Sequence, residues 1–433
     1  MRIAQITPSS GDSFYCENCL RDIALVKAIE KLGHDVLMIP LYLPVRSDRG
    51  EPVSDVPIFF GGINVYLQQK LALFRKTPRW VDRIFDSPKL LTWVGRRAGM
   101  TSARDLGETT LSMLRGEDGR QVKELDRLIE WLSVPQNRPD IVCLSNVLLA
   151  GLVRRIKERL GVPVVCLLQD EDGFVDALGE PYSQQAWDML ARRSRDVDGF
   201  IAVSKYYAGV MQTRLHLAAE KLHVVYMGVS LEGYRLPRSS PEAPTIGFLS
   251  RMCFHRGLDT LVEAFIVLKK NEKLKNVRMR ISGGSSANDE AFIGRIRERL
   301  SRCGVIEDVE FLADFDRDAR IAFLRGLTVL CVPERQGVAY GLYVLEALAA
   351  GVPVVEPAFG VFPELLEMTG GGVMFEPNNV EALACEMEPL LTDEDYALRL
   401  GEQGRKKVFE TFNIESTAGN MVCVYRQIMG QNL

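Results

Sequence analysis

Residues 332–357, VPERQGVAYGLYVLEALAAGVPVVEP, carry the reading that decides the fold. An apolar run, 329–332, is closed by Pro333, and 342–350 is built from strong helix formers. Gly351 follows where a left-handed residue ends a helix, and Pro353 opens the run Val354-Val355. Strand end, loop, helix and strand make one α/β unit of a parallel sheet. Glu346 is the one charge in that helix and shares a face with Leu342, Ala349 and Ala350, so packing surrounds its carboxylate. Left unpaired there it would cost on the order of several kcal/mol. Something is therefore expected to bind it: an internal donor or arginine on one reading, the cis-diol of a ligand such as ribose on the other.

Working outward, 433 residues exceed one ordinary core, so two domains are expected. A hydrophobic content of 47% with 25% charge describes a globular chain. The net charge of -4 argues against a nucleic-acid partner held by global charge. The start MRIAQITP reads as a strand without the apolar core of a signal peptide, and no run approaches a membrane span. With nine scattered cysteines this makes the cytoplasm the expected location. Cys16 and Cys19 form a lone CxxC, open to three readings: ordinary thiols, a redox pair, or a zinc site borrowing from the four histidines.

Strand and helix alternate along most of the chain. Expected strands are 2–7, 36–40, 140–144, 162–168, 199–203 and 222–226, with helices at 20–32, 147–160, 183–195 and 205–215. The β-α-β start has no GxGxxG, which argues against a dehydrogenase; Gly11 in its first turn leaves room for a phosphate near backbone N–H groups. Segment 69–100 interleaves basic and aromatic residues. It fits a helical insertion with its arginines in water, or a surface for an anionic membrane or a sugar acceptor. A charged amphipathic helix is expected at 117–132. The loop 169–173 carries Asp170, Glu171 and Asp172 at a strand's carboxyl end, either as a catalytic or metal cluster or as a solvated helix cap.

Residues 236–244, LPRSSPEAP, read as a linker. A second array follows, with strands at 245–249, 278–282, 309–312 and 328–332 and helices at 258–269, 289–303 and 316–324; beyond the opening stretch come a helix at 363–368, the loop 370–372 and two closing amphipathic helices, the last around 416–429. The fold class is α/β: two doubly wound Rossmann-like domains, 1–235 and 244–411, facing a cleft, with the last helix (412–433) packing back on the first domain. Arg251 and Arg256, in a loop between a strand end and a helix start, suit a diphosphate together with the N–H groups of nearby helices; taken alone, two loop arginines are equally surface charge.

Ser250-Arg251, Arg256-Gly257-Leu258-Asp259, Gly283-Gly284, Tyr340-Gly341-Leu342 and the run from Leu345 to Val355 resemble the donor domain of retaining nucleotide-sugar glycosyltransferases of family four, relatives of glycogen and sucrose synthases with the GT-B fold. Gly33-His34-Asp35-Val36, Ala202-Val203-Ser204-Lys205 and Tyr226-Met227-Gly228-Val229 extend the likeness into the first half. The resemblance implies that Arg251 and Arg256 hold the donor diphosphate, Arg256 replacing a lysine. It implies that Glu346 binds the ribose, that Gly341 and Leu342 present backbone N–H groups, that Gly283 and Tyr340 line the donor site, and that Gly11 lines the cleft from the other domain. The implied partners are a nucleotide-sugar donor and a glycan, lipid or small-molecule acceptor, with no metal and no cofactor. Two departures stand out. The family's first glutamate falls on Val338, with Glu334 four residues too early, and its cleft histidine falls on Gln169, which bonds a hydroxyl but cannot titrate. Asp170 and Glu171 are candidates to fill that gap. The expected activity is transfer of a hexose with retention. The alternatives are a non-catalytic nucleotide-sugar or glycan-binding protein on the same scaffold, and an epimerase, which would need titrating acids.

Overall fold

Parallel pairing organises both halves of the chain. The computed structural model describes residues 1–8, 17–42, 56–60, 103–235 and 241–431. Gly11, Cys16, the side chain of Cys19, most of the linker and the whole basic aromatic segment 69–100 lie outside the described residues. The chain divides into two units, one holding most of the residues up to Tyr226 together with those from Thr417 on, the other holding Met227–Ser416.

The first unit contains β1 (Arg2–Thr7), β2 (Asp35–Pro40), β3 (Ile141–Leu144), β4 (Val164–Leu168), β5 (Gly199–Ala202) and β6 (Leu222–Val224), in the order β2-β1-β3-β4-β5-β6. Every residue of β3 and β4 is buried, the unbroken apolar pattern of strands covered on both faces. The second unit contains β7 (Thr245–Leu249), β8 (Arg278–Ser282), β9 (Val309–Phe311), β10 (Val329–Leu330), β11 (Val354–Pro357) and β12 (Gly372–Phe375), in the order β12-β11-β10-β7-β8-β9. Both sheets are parallel throughout. The order in the second reverses between β7 and β10, so the loops leaving those two strands open side by side at a topological switch point.

Three expectations are corrected. The helix expected at 117–132 is instead two, Ala103–Arg115 and Val122–Ser133, with Gly116 at φ 59 between them and a Cβ there overlapping the carbonyl of Gly151. The loop 370–372 leads directly into β12, and three helices rather than two close the chain: Val380–Thr392, Glu394–Thr411 and Ile414–Ile428. In the last of these Thr417 donates to the Tyr226 carbonyl at 2.9 Å and Tyr425 is buried beside Cys143. Helix Glu394–Thr411 packs by glycine: a Cβ on Gly401 would overlap the carbonyl of Gly351, and one on Gly404 would crowd Gly371 and Leu348. Among the described residues no helix is long and apolar enough to cross a membrane.

Candidate functional site

β7 runs out at Leu249 and the chain loops through a short turn, Phe254–Arg256, before Gly257 admits it to helix Leu258–Leu268. Arg251, near the start of the loop, forks onto Asp289, with Nε 2.8 Å from Oδ2 and Nη2 3.1 Å from Oδ1, and also donates to Ser286 Oγ at 2.8 Å. Asp289 in turn accepts from the backbone of Ser286, the residue that caps the following turn. Burial alone would raise the Asp289 pKa, but the bonds from Arg251 and Ser286 outweigh it and hold the carboxyl below its ordinary range. β8 delivers Gly283 to the same region, where it packs against the Ser250 backbone.

The neighbouring loop leaves β10 and is stitched to the first. Arg256 donates through Nη1 to Glu334 Oε1, and that carboxylate, in a residue only 3% exposed, also accepts from Tyr343 Oη at 3.4 Å. Arg335 answers in the opposite sense, reaching Asp259 at 2.7 and 2.9 Å, Thr260 Oγ1 at 2.9 Å and the Phe254 carbonyl at 2.5 Å. Its guanidinium lies 4.0 Å from the centre of the exposed Phe254 ring. Gly257 lets the backbones meet, since a Cβ there would overlap the carbonyl of Pro333. Tyr343 belongs to the first turn of helix Leu342–Ala349, so the contacts Arg256–Glu334–Tyr343 tie the loop that follows β7 to that helix through a buried carboxylate. Gly341 forms the N-cap at φ 64, a conformation open to glycine that offers no side chain to cover the amides. Tyr340 and Val338 are both buried.

Glu346 is 2% exposed, and Arg320 reaches its Oε1 through Nε and Nη2, each at 3.3 Å. Tyr234 also bonds to it; burial first, then that carboxylate, push the phenol pKa well above normal. Of the two readings of Glu346, this is the internal partner. Burial therefore gives no reason of its own to expect a ligand there, and the ribose role rests on the resemblance alone.

In the first unit Gln169 follows β4. Its Nε2 donates to the Ser145 carbonyl, while its Oε1, Ser145 Oγ and Asn146 Oδ1 are buried atoms without partners among the described residues. The acidic loop is only partly a solvated cap. Asp170 sits at φ 58 ahead of helix Glu171–Asp176, but Glu171 is 3% exposed and accepts from Gln169 N at 2.6 Å, Val147 N at 3.1 Å and Tyr207 Oη at 2.9 Å. Burial, outweighing those bonds, raises its pKa to about 7. Its carboxylate is turned to backbone amides and to the Tyr207 hydroxyl. Asp172 receives the Tyr207 hydroxyl at 3.0 Å. Among the described residues no cluster of three or more His, Cys, Asp or Glu is placed to hold a metal ion.

Comparison with known proteins agrees with this layout. A family model described as glycosyltransferase family 4 matches residues 109–232, and one described as glycosyl transferases group 1 matches 237–407. The MMP alpha-(1->4)-mannosyltransferase of Mycolicibacterium hassiacum is 24% identical over 56% of this chain and 57% of its own. Among solved structures, sucrose-phosphate synthase from Thermosynechococcus elongatus superposes with a TM-score of 0.72 at 17% identity, covering 99% of each chain. Anabaena Alr3699/HepE in complex with UDP superposes with a TM-score of 0.68 at 14% identity, covering 99% of this chain and 100% of that one. The chain spans about half the length of the curated relatives it matches.

Proposed function

Because the chain belongs to the family-four glycosyltransferases of GT-B fold, we propose that it transfers a hexose, with retention, from a nucleotide diphosphate sugar to a hydroxyl-bearing acceptor. The observation that carries the reading is the set of contacts Arg256–Glu334–Tyr343, which ties a guanidinium of the loop after β7 to helix Leu342–Ala349, next to the switch point between β7 and β10. Helix dipole and guanidinium together favour a diphosphate, and favour it more as it departs with its full charge. Arg251 adds a second guanidinium at the carboxyl end of β7. The proposed reaction proceeds without a divalent metal.

In the step itself the bond between the anomeric carbon and the diphosphate oxygen breaks while the acceptor oxygen bonds to the same face. The acceptor proton passes to the leaving phosphate oxygen, so neither Val338 nor Gln169 needs to titrate. Gln169 keeps a buried carbonyl oxygen without a partner among the described residues, which suits a sugar hydroxyl.

A thermal-shift screen against UDP-, GDP- and ADP-sugars tests donor binding, since a ligand at a hundred times its dissociation constant stabilises by about 2.7 kcal/mol. Binding of one class followed by slow hydrolysis of that donor is the expected result. Binding without turnover in any acceptor screen would favour the non-catalytic reading, and no binding at all would refute both.

A further inference from the structure

We propose that Glu334 is the positioning residue for Arg256, holding its guanidinium at the mouth of the switch point where the departing diphosphate gathers charge. This rests on the reading of Arg256 just given.

Glu334 is anchored far more firmly than a surface counter-ion. Its side chain is 2% exposed against 28% for Arg256, so the carboxylate is the fixed member of the pair and the arginine the one that reaches outward. Tyr343 Oη bonds the same oxygen that Arg256 meets, and the backbone N–H of Glu334 turns back onto the Val332 carbonyl at 2.7 Å, locking the residue to the end of β10. The reciprocal pair Arg335–Asp259, together with the Arg335 N–H on the His255 carbonyl at 3.0 Å, fixes the spacing of the two loops. An arginine on so long a stem gives up considerable rotamer freedom whenever it is ordered. Pairing it beforehand to a buried carboxylate means that this ordering is already done when the donor arrives. Val338, where the family's own carboxylate would fall, is a buried aliphatic and can orient nothing by charge.

The test is a double-mutant cycle on donor hydrolysis, with GDP-mannose and UDP-glucose as donors and GDP and UDP binding by calorimetry as a parallel readout. E334Q keeps the shape of the side chain and an acceptor oxygen while removing the charge. It is expected to lower kcat by about 10- to 100-fold with the donor KM changed less than about threefold, the signature of an interaction that matters in the transition state. R256A is expected to be slower still, and E334Q/R256A no slower than R256A, because Glu334 acts through that arginine. Should the double mutant fall below R256A by the factor that separates E334Q from the wild type, Glu334 serves something else and the proposal is overturned. Wild-type kinetics in E334Q would overturn it equally. If R256A itself binds GDP and UDP and hydrolyses donor like the wild type, the assignment of Arg256 to the diphosphate is what fails, and the proposal falls with it. Y343F covers the case of an E334Q protein that does not fold. It loosens the carboxylate without touching its charge, and it is expected to lower kcat about two- to threefold in the wild type and not at all in R256A; an equal drop in both backgrounds would count against the proposal.

Discussion

Two carboxylates invite comparison, Glu346 in the second unit and Glu171 in the first. Both lie on a helix that follows the carboxyl end of a strand, and they are 2% and 3% exposed. Glu346 meets a guanidinium from helix Arg317–Arg325. Glu171 meets two backbone N–H groups and a phenol, and among the described residues no cation pairs with it. Equal burial thus comes with opposite electrostatics: in one place a charge is matched by a charge, in the other it is held by dipoles alone, and there burial wins and carries the pKa to about 7. The loops around them differ as well. In the second unit Arg251, Arg256 and Arg335 each meet a carboxylate, Asp289, Glu334 and Asp259, while the end of β4 in the first unit carries three acids beside the amide of Gln169.

The sharpest way to break the contrast is to remove the cation from Glu346. Arg320→Ala would leave a buried carboxylate without its guanidinium, and the expected loss is about 3–5 kcal/mol. At roughly 2–4 °C per kcal/mol, the melting temperature should fall on the order of 10 °C; a fall under about 2 °C would mean that Tyr234 and the backbone suffice.

Titration comes next in size. The folded pKa of Glu171, about 7, lies above the ordinary 4.5, so the native state holds the proton more tightly than the unfolded one. Below the unfolded value both states are protonated and there is no differential. As pH rises from 4.5 to about 7 the unfolded state ionises first, and stability declines across that window by roughly 3 kcal/mol in all. Denaturation measured from pH 4 to pH 8 should show this slope in the wild type and a flatter line in Glu171→Gln. Parallel lines would mean that Glu171 ionises as readily folded as unfolded.

The smallest expected effect belongs to Tyr207. Phe in its place removes the hydroxyl that bonds Glu171 and Asp172, for a loss of about 1 kcal/mol. Because that bond lowers the Glu171 pKa, its removal should also move the pH-dependent window upward. A carboxyl titration followed by NMR would detect the move, and a shift downward would contradict the assigned role of the phenol.

Periodicity and local punctuation made most of the second unit legible. Helix formers, Gly351 and Pro353 mark the unit from β10 to β11 within about two residues, and the burial of Glu346 follows from its neighbours at three and four. Its partner did not follow, because Arg320 is 26 positions away and nothing local points to it. The same holds for Tyr207, 36 positions from Glu171: three consecutive acids read as a catalytic or metal cluster or as a solvated cap until a distant hydroxyl and two amides are seen to enclose one of them. β12 is hidden in the sequence for another reason. It opens on glycine, and a residue without a side chain contributes nothing to an alternating pattern. Glu334 stands four residues too early for the family's carboxylate, and that spacing says nothing of the arginine across the gap.

The glycine-on-glycine seam under helix Glu394–Thr411 works as a registration mark. Gly401 and Gly404 are three apart on one face, and each meets main chain or a core leucine with no room for a Cβ. Adding one residue ahead of the helix would turn it by about 100° and bring other side chains toward Gly351 and Gly371. Such an insertion cannot be absorbed by sliding, so unit two should tolerate changes of length in its exposed loops far better than in the turn at Asp393 that leads into this helix.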